Sequence, residues 1–177
     1  MPHIHTQPGE HDQTVSMYVI RLDTKEPTAL LHMHKKLHRL MPIGGHVELN
    51  ENPWQAAAHE LTEESGYRLE YLELLQPTDR IMSLSKTMLL PQPIVMNDHE
   101  YGDINHFHSD ISYLFIAHGE PDMPVGEGES TDLRWMTKAQ LDEINEPEII
   151  QFTKEVYNFA FNVCLDNWER VNPKDFS

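Results

Sequence analysis

The stretch from residue 44 to 67, GGHVELNENPWQAAAHELTEESGY, constrains this chain more than any other. Asn52 is a favourable helix N-cap, Pro53 suits a first helical position, and Gly66 can take the left-handed conformation that ends a helix. The segment therefore predicts a loop, a helix over about 53–65, and a second loop. Side chains three and four apart share a helical face, so Glu60, Glu63 and Glu64 crowd onto one turn, while Ala56, Ala57 and Leu61 offer a small apolar face for a sheet. Like charges at this spacing destabilise an isolated helix by a few tenths of a kcal/mol per pair, on the order of 0.2–0.5. A cation would relieve that repulsion, and oxygen-only ligands suit hard divalent ions such as Mg²⁺ or Mn²⁺. A solvated acidic helix would account for the three carboxylates alone, in a chain with 29 Asp plus Glu against 13 Lys plus Arg. It does not account for Gly44-Gly45-His46-Val47-Glu48, Glu51 and Gly66 standing in register around them.

The full spacing runs Gly45, five residues, Glu51, seven residues, then His59-Glu60-Leu61-Thr62-Glu63-Glu64-Ser65-Gly66-Tyr67. It resembles the Nudix box, the signature of the Nudix hydrolases, with one departure: His59 stands where the family has Arg. The resemblance implies a loop-helix-loop that binds divalent metal and cleaves a nucleoside diphosphate linked to another group. Carried over by position, it implies metal ligation by Glu60, Glu63 and Glu64, with the Gly44 carbonyl as an additional ligand. It also places Glu51 behind these ligands, and gives one of the helix carboxylates, or one outside the box, the task of orienting or deprotonating the attacking water. The inventory fits the chemistry, because water attack on a diphosphate builds charge on phosphoryl oxygens, which metal ions screen while acidifying the water. The expected cofactor is Mg²⁺ or Mn²⁺.

Arg is suited to holding carboxylates through a planar, permanently charged fork. His59 is shorter and has a reference pKa of about 6.5. Neighbouring carboxylates would favour its imidazolium, leaving it able to pair with Glu51 or a metal ligand. His59 therefore joins Glu51, Glu60, Glu63 and Glu64 in the expected catalytic set.

At 177 residues the chain is of single-domain size, with residues 1–13 read as a flexible His-rich lead-in. No apolar run approaches the roughly 20 residues of a membrane span, and the start, MPHIHTQPGEHD, does not read as a signal peptide. The single Cys164 excludes an intrachain disulfide, and the expected location is cytoplasmic. A formal charge of 13 − 29 = −16 argues against long nucleic acid as a partner, since phosphate neutralisation needs clustered Lys and Arg. A small nucleotide-type substrate carried with its metal is compatible with that charge, in a monomer or homodimer. The basic run HMHKKLHR, residues 32–39, reads either as a solvated hairpin tip or as a phosphate contact through Lys35, Lys36 and Arg39.

Val15–Ile20 and Ala29–His34 read as strands around a turn at Lys25-Glu26-Pro27. Arg68–Leu75 and Thr131–Met136 are further strand candidates, and Ile111–Ala117, apolar on both parities, reads as a buried central strand. Thr137 and Gln140 have capping-box spacing, and residues 147–169 are expected to form one long helix burying Ile150, Val156, Phe159, Val163 and Trp168. This irregular alternation suits an α/β class with a mixed sheet, which matches the α/β/α sandwich that the Nudix resemblance implies. His34–Glu48, His106–Asp110 and the stretch from Glu129 to Met136 add weaker resemblance to members of that family. His106, His108 and Asp110 share one face of an extended segment, a candidate second metal or phosphate-contact cluster with zinc as a conceivable ion. Glu127 and Glu129 lie in a Gly-Glu-Gly-Glu-Ser loop where some family members place a further carboxylate.

Three functions follow from these readings. The first is a metal-dependent hydrolase of a nucleoside diphosphate derivative or nucleoside triphosphate. A catalytically weak Nudix-fold ligand-binding or regulatory module is the alternative. An isopentenyl diphosphate isomerase, a fold relative, is disfavoured by the near-complete hydrolase box.

Overall fold

The structure, a computed structural model, describes residues 4, 5, 7–101 and 105–176. Its spine is a pair of long parallel strands, β1 (His11–Arg21) and β7 (His106–Ala117), joined in continuous register from His11 opposite Phe107 to Arg21 opposite Ala117. Their apolar halves carry residues such as Met17, Val19, Tyr113 and Phe115, all essentially buried, as befits strands covered on both faces. β1 begins at His11 rather than Val15, so the expected lead-in over 1–13 overlaps the sheet by three residues. Pairing with β7 draws polar His11, Asp12 and Gln13 into the ladder, an effect that apolar pattern alone does not reveal. Residues 1–3 and 6 of that lead-in lie outside the described residues.

β2 (Thr28–Met33) pairs with β1 only at Ile20 and Arg21 before diverging. β4 (Ile43–His46) takes its place along the other half of β1, with Thr14 opposite His46 and Ser16 opposite Gly44. The sheet thus splits beside β1, and the cleft described below opens at that split. The short β3 (Leu40–Met41) and β8 (Leu133–Thr137) flank β2, while β5 (Glu73–Gln76) and β6 (Val95–Tyr101) flank β7. A 3-10 turn occupies Leu69–Tyr71 of the strand expected from Arg68, leaving only the last part extended.

Opposite parities of β1 face opposite layers. Val15, Met17 and Val19 pack with Trp54, Ala56, Ala57 and Leu61 of α1 (Pro53–Ser65). Tyr18 and Ile20 pack on the other side with Leu141 of α2 (Lys138–Glu143) and with Tyr157 of α3 (Gln151–Phe159). The result is the expected mixed sheet between helical layers. Thr137 and Gln140 form the expected capping box.

The long C-terminal helix is a correction. α3 passes into a π turn at Ala160–Cys164, then a last short turn, α4 (Leu165–Asn167), and the chain enters strand β9 (Glu169–Val171) against β5. Thr153, Tyr157, Ala160 and Cys164 form the buried stripe, whereas Phe159 is exposed. Tyr157 sets this face: its hydroxyl donates to the Leu30 carbonyl and accepts from the Val19 amide, anchoring the helix to two strands.

Candidate active site

The box helix forms as its end signals require. Asn52 Oδ1 accepts from the amides of Trp54 and Gln55 at 3.0 Å each, and the Gln55 side chain accepts from the Asn52 amide at 2.9 Å. Gly66 closes the helix at φ 74°, and a Cβ there would stand 2.0 Å from the Met123 carbonyl oxygen. Anchored by Ala56, Ala57 and Leu61, α1 aims Glu60 and Glu64 inward to 4% and 8% exposure, while Glu63 stays exposed.

Two glycines of β4 admit these carboxylates. The Gly44 amide donates to Glu64 Oε2 at 2.9 Å. A Cβ on Gly45 would lie 2.1 Å from Glu60 Oε1, so backbone and carboxylate approach more closely than any other residue permits. Burial, which outweighs the favourable Gly44 contact, and the adjoining Glu60 and Glu129 raise Glu64 to about 8. Burial likewise lifts Glu60 to about 7, with Glu63 and Glu129 adding to the rise and His59 opposing it. His32 Nδ1 lies 3.7 Å from Glu64, but burial and the neighbouring His34 hold His32 near 4, so it carries no compensating charge at neutral pH. Two buried acids that share a cleft and repel each other form a site in which a divalent ion would replace protons.

His59 bridges its neighbours. Its Nδ1 is 3.0 Å from Glu51 Oε2, its Nε2 is 3.6 Å from Glu60 Oε1, and Glu51 in turn accepts from the Glu48 amide at 2.9 Å. Burial lowers its pKa, but the Glu51 hydrogen bond and the charges of Glu60, Glu51 and Glu63 prevail and raise it above the ordinary value. Ligand atoms of His59, Glu60 and Glu63 fall within 4.8 Å of one another.

Glu60, Glu63 and Glu64 line a cleft of about 810 Å³, large enough for a nucleotide-sized ligand. A family model for the NUDIX domain matches residues 11–158. The chain belongs to the NUDIX family. It is a Nudix diphosphohydrolase. Among solved structures, a NUDIX-family hydrolase from Clostridium perfringens is similar at 29% identity and TM-score 0.67, over 84% of this chain and 97% of that one. The Ap4A hydrolase of C. elegans, in a binary complex, is similar at 19% identity and TM-score 0.60, over 85% and 96%. The NUDIX domain of Shewanella oneidensis NrtR, complexed with ADP ribose, gives 12% identity and TM-score 0.61, over 90% and 91%. The last two likenesses concern the fold. No curated protein matches the chain significantly.

The cleft of this Nudix hydrolase is lined by Gly44, Glu60, Glu63 and Glu64 together with Lys35, Lys36, Arg39 and Glu129. Lys35 Nζ donates to the Gly128 carbonyl, joining the basic turn to the Gly-Glu-Gly-Glu loop. Glu51, His59 and Glu127 do not line the cleft, and Glu127 is exposed. His108 and Asp110 line the cleft, whereas His106 is buried beside it. Alternation along β7 does put His106, His108 and Asp110 on one face, but they do not form one cluster. Asp110 is engaged by three hydroxyls, from Thr14 at 2.9 Å, Ser16 at 3.0 Å and Ser112 at 2.7 Å. His106 and His108 turn instead toward Asp12 and His46. Sequence reasoning missed Asp12 because it lay in the expected lead-in, and missed His46, whose only signal was its place after Gly44-Gly45. It also missed Tyr101 and Phe152, aromatic lining contributed by β6 and α3. No helix among the described residues is long and apolar enough to cross a membrane.

Proposed function

We propose that this Nudix hydrolase uses Mg²⁺ or Mn²⁺ to cleave a phosphoric anhydride bond in a nucleoside diphosphate derivative or a nucleoside triphosphate. The observation that carries the reading is the meeting of Glu60, Glu63 and Glu64 with Lys35, Lys36 and Arg39 in one cleft. The donor set fits a hard divalent ion: oxygen ligands, two of them buried, against a backbone cradle that a Cβ at Gly45 would fill. Glu60, Glu63 and Glu64, with the Gly44 carbonyl, would hold the metal. When bound, it screens charge on the phosphoryl oxygens and lowers the pKa of water.

The remaining steps belong to the chain. Lys35, Lys36 and Arg39 attract the phosphates. Tyr101 and Phe152 offer flat apolar surface for a base or other substituent. Glu129, a cleft carboxylate from outside α1, is placed to orient the attacking water and accept its proton. His59, tied to Glu51 and beside Glu60, positions the helix carboxylates in place of the family's Arg. ADP ribose in the Shewanella domain and the Ap4A named for the C. elegans enzyme support this substrate class.

The deciding test is a hydrolysis screen over nucleotide sugars, dinucleotides, NADH, ADP-ribose and nucleoside triphosphates with Mg²⁺ or Mn²⁺. Turnover of at least one, abolished in the Glu63→Gln/Glu64→Gln double variant, is the expected result. Equal turnover by that variant would overturn the assignment.

A further inference from the structure

Beyond the box carboxylates, the sheet assembles a second set of metal-ligand types. Asp12 of β1, His46 of β4 and His108 of β7 are all buried, and one ligand atom from each lies within 4.8 Å of the other two. The strand registers bring them together: Asp12 is directly opposite His108, and Thr14, two residues along, is opposite His46. Because side chains alternate across a strand, Asp12 and Thr14 share a face, which places the carboxylate and both imidazoles on one side of the sheet.

One donor pair stands at the spacing an ion requires, and the His108 donor lies within 4.8 Å of both. Ligands at about 2.0–2.1 Å in a tetrahedral arrangement hold their donor atoms about 3.4 Å apart. His46 Nε2 is 3.5 Å from Asp12 Oδ2. The His46 and His108 rings meet edge to face, with centroids 5.0 Å apart and planes at 82°. Tyr101 stacks on His108 at 4.7 Å and 16°, fixing that ring from behind.

The supporting contacts are those that orient a ligating carboxylate. The His5 amide donates to Asp12 Oδ1 at 2.9 Å, the Ile4 amide to Oδ2 at 3.1 Å, and His5 Nδ1 lies 2.8 Å from Oδ1. His106 Nε2 is 3.2 Å from Oδ2.

We infer that Asp12, His46 and His108 form a second metal site, distinct from the box and built for a borderline divalent ion of the zinc type. Two imidazoles and one carboxylate favour such an ion over Mg²⁺, which demands oxygen ligands. The ion ties β1, β4 and β7 together at the His46 end of β4. His46 directly follows Gly45, whose backbone abuts Glu60, so the ion fixes the strand against which the catalytic carboxylate rests. Three protein ligands leave a fourth position to water, so the ion clamps the strands beside the reaction site while keeping one coordination position open.

The test is zinc retention. Full-length protein is stripped with a chelator, dialysed against Zn²⁺ in a large excess of Mg²⁺, and assayed for bound metal by mass spectrometry. Co²⁺ loading then reports coordination by visible absorption. Wild type is expected to retain one zinc per chain and to give an intense four-coordinate Co²⁺ band. Glu63→Gln/Glu64→Gln should keep both, whereas His108→Ala should lose both. If His108→Ala fails to fold, the nearly isosteric Asp12→Asn serves, with folding checked by circular dichroism. Wild type without stoichiometric zinc overturns the site. So does zinc and an unchanged Co²⁺ spectrum in a folded His108→Ala or Asp12→Asn variant.

Discussion

Glu64→Gln should stabilise the metal-free protein while destroying its activity, and the gain should depend on pH. In the unfolded chain the Glu64 carboxyl titrates near 4.5, whereas burial and the adjoining Glu60 and Glu129 raise it to about 8 in the fold, against the Gly44 hydrogen bond. The folded chain therefore holds a proton more tightly than the unfolded chain. The stability arising from this difference is fully present below 4.5, declines as pH rises, and is lost by about 8. A tenfold change in proton affinity corresponds to about 1.4 kcal/mol, so the rise in Glu64 sets an upper limit of roughly 5 kcal/mol. Glu60 shares the same burial and repulsion, and we assign Glu64 about 2 kcal/mol of that limit. Gln keeps an oxygen for the Gly44 amide but carries no charge. In a chain of this size the gain corresponds to a Tm higher by about 4–8 °C at pH 8. The assay is thermal unfolding in excess chelator at pH 5 and pH 8, with and without Mg²⁺. The variant should exceed wild type at pH 8, converge with it near pH 5, and fail to gain stability from Mg²⁺ as wild type does. A variant Tm at or below wild type at pH 8 in chelator would refute the reasoning.

Four further outcomes can be measured directly. Turnover of the substrate found by the screen should vanish in excess chelator and return with Mg²⁺ or Mn²⁺; full turnover without metal would exclude the proposed chemistry. Glu63→Gln should lower kcat by two orders of magnitude or more with little change in Tm, because Glu63 is exposed on α1; kinetics and melting of the same preparation test both halves. The His59 imidazolium supports the carboxylates only while protonated, and its raised pKa extends that support above the ordinary value of 6.5 before it fails on the alkaline side. His59→Arg should therefore gain turnover relative to wild type from pH 6 to pH 9, and a flat ratio near one would show that position 59 is not used. Gly45→Ala should cut turnover at least tenfold by displacing Glu60, at a stability cost of about 1–3 kcal/mol that denaturant unfolding can measure.

The sequence by itself determined the elements whose causes are local. Asn52, Pro53 and Gly66 delimit α1 through caps, and the three- and four-residue spacing of Glu60, Glu63 and Glu64 places them on one turn wherever the helix lies. Thr137 and Gln140 start α2 in the same way, and the apolar run at Ile111–Ala117 marks a strand buried on both faces. Only tertiary structure decided what depends on pairing between distant strands. Asp12 looks like tail sequence until β7 lies beside it, with His108 opposite. His46 and His108 meet because β4 and β7 flank opposite sides of β1, and Asp110 leaves their company because Thr14, Ser16 and Ser112 satisfy its carboxylate. The C-terminal helix departs from its expected course for a related reason. Its buried stripe follows the Tyr157 anchor and the π turn, and its end is set by β9 joining the edge of the sheet. Caps and helical spacing act over a few residues and can be read along the chain, whereas strand partners are chosen by the packing of the whole sheet.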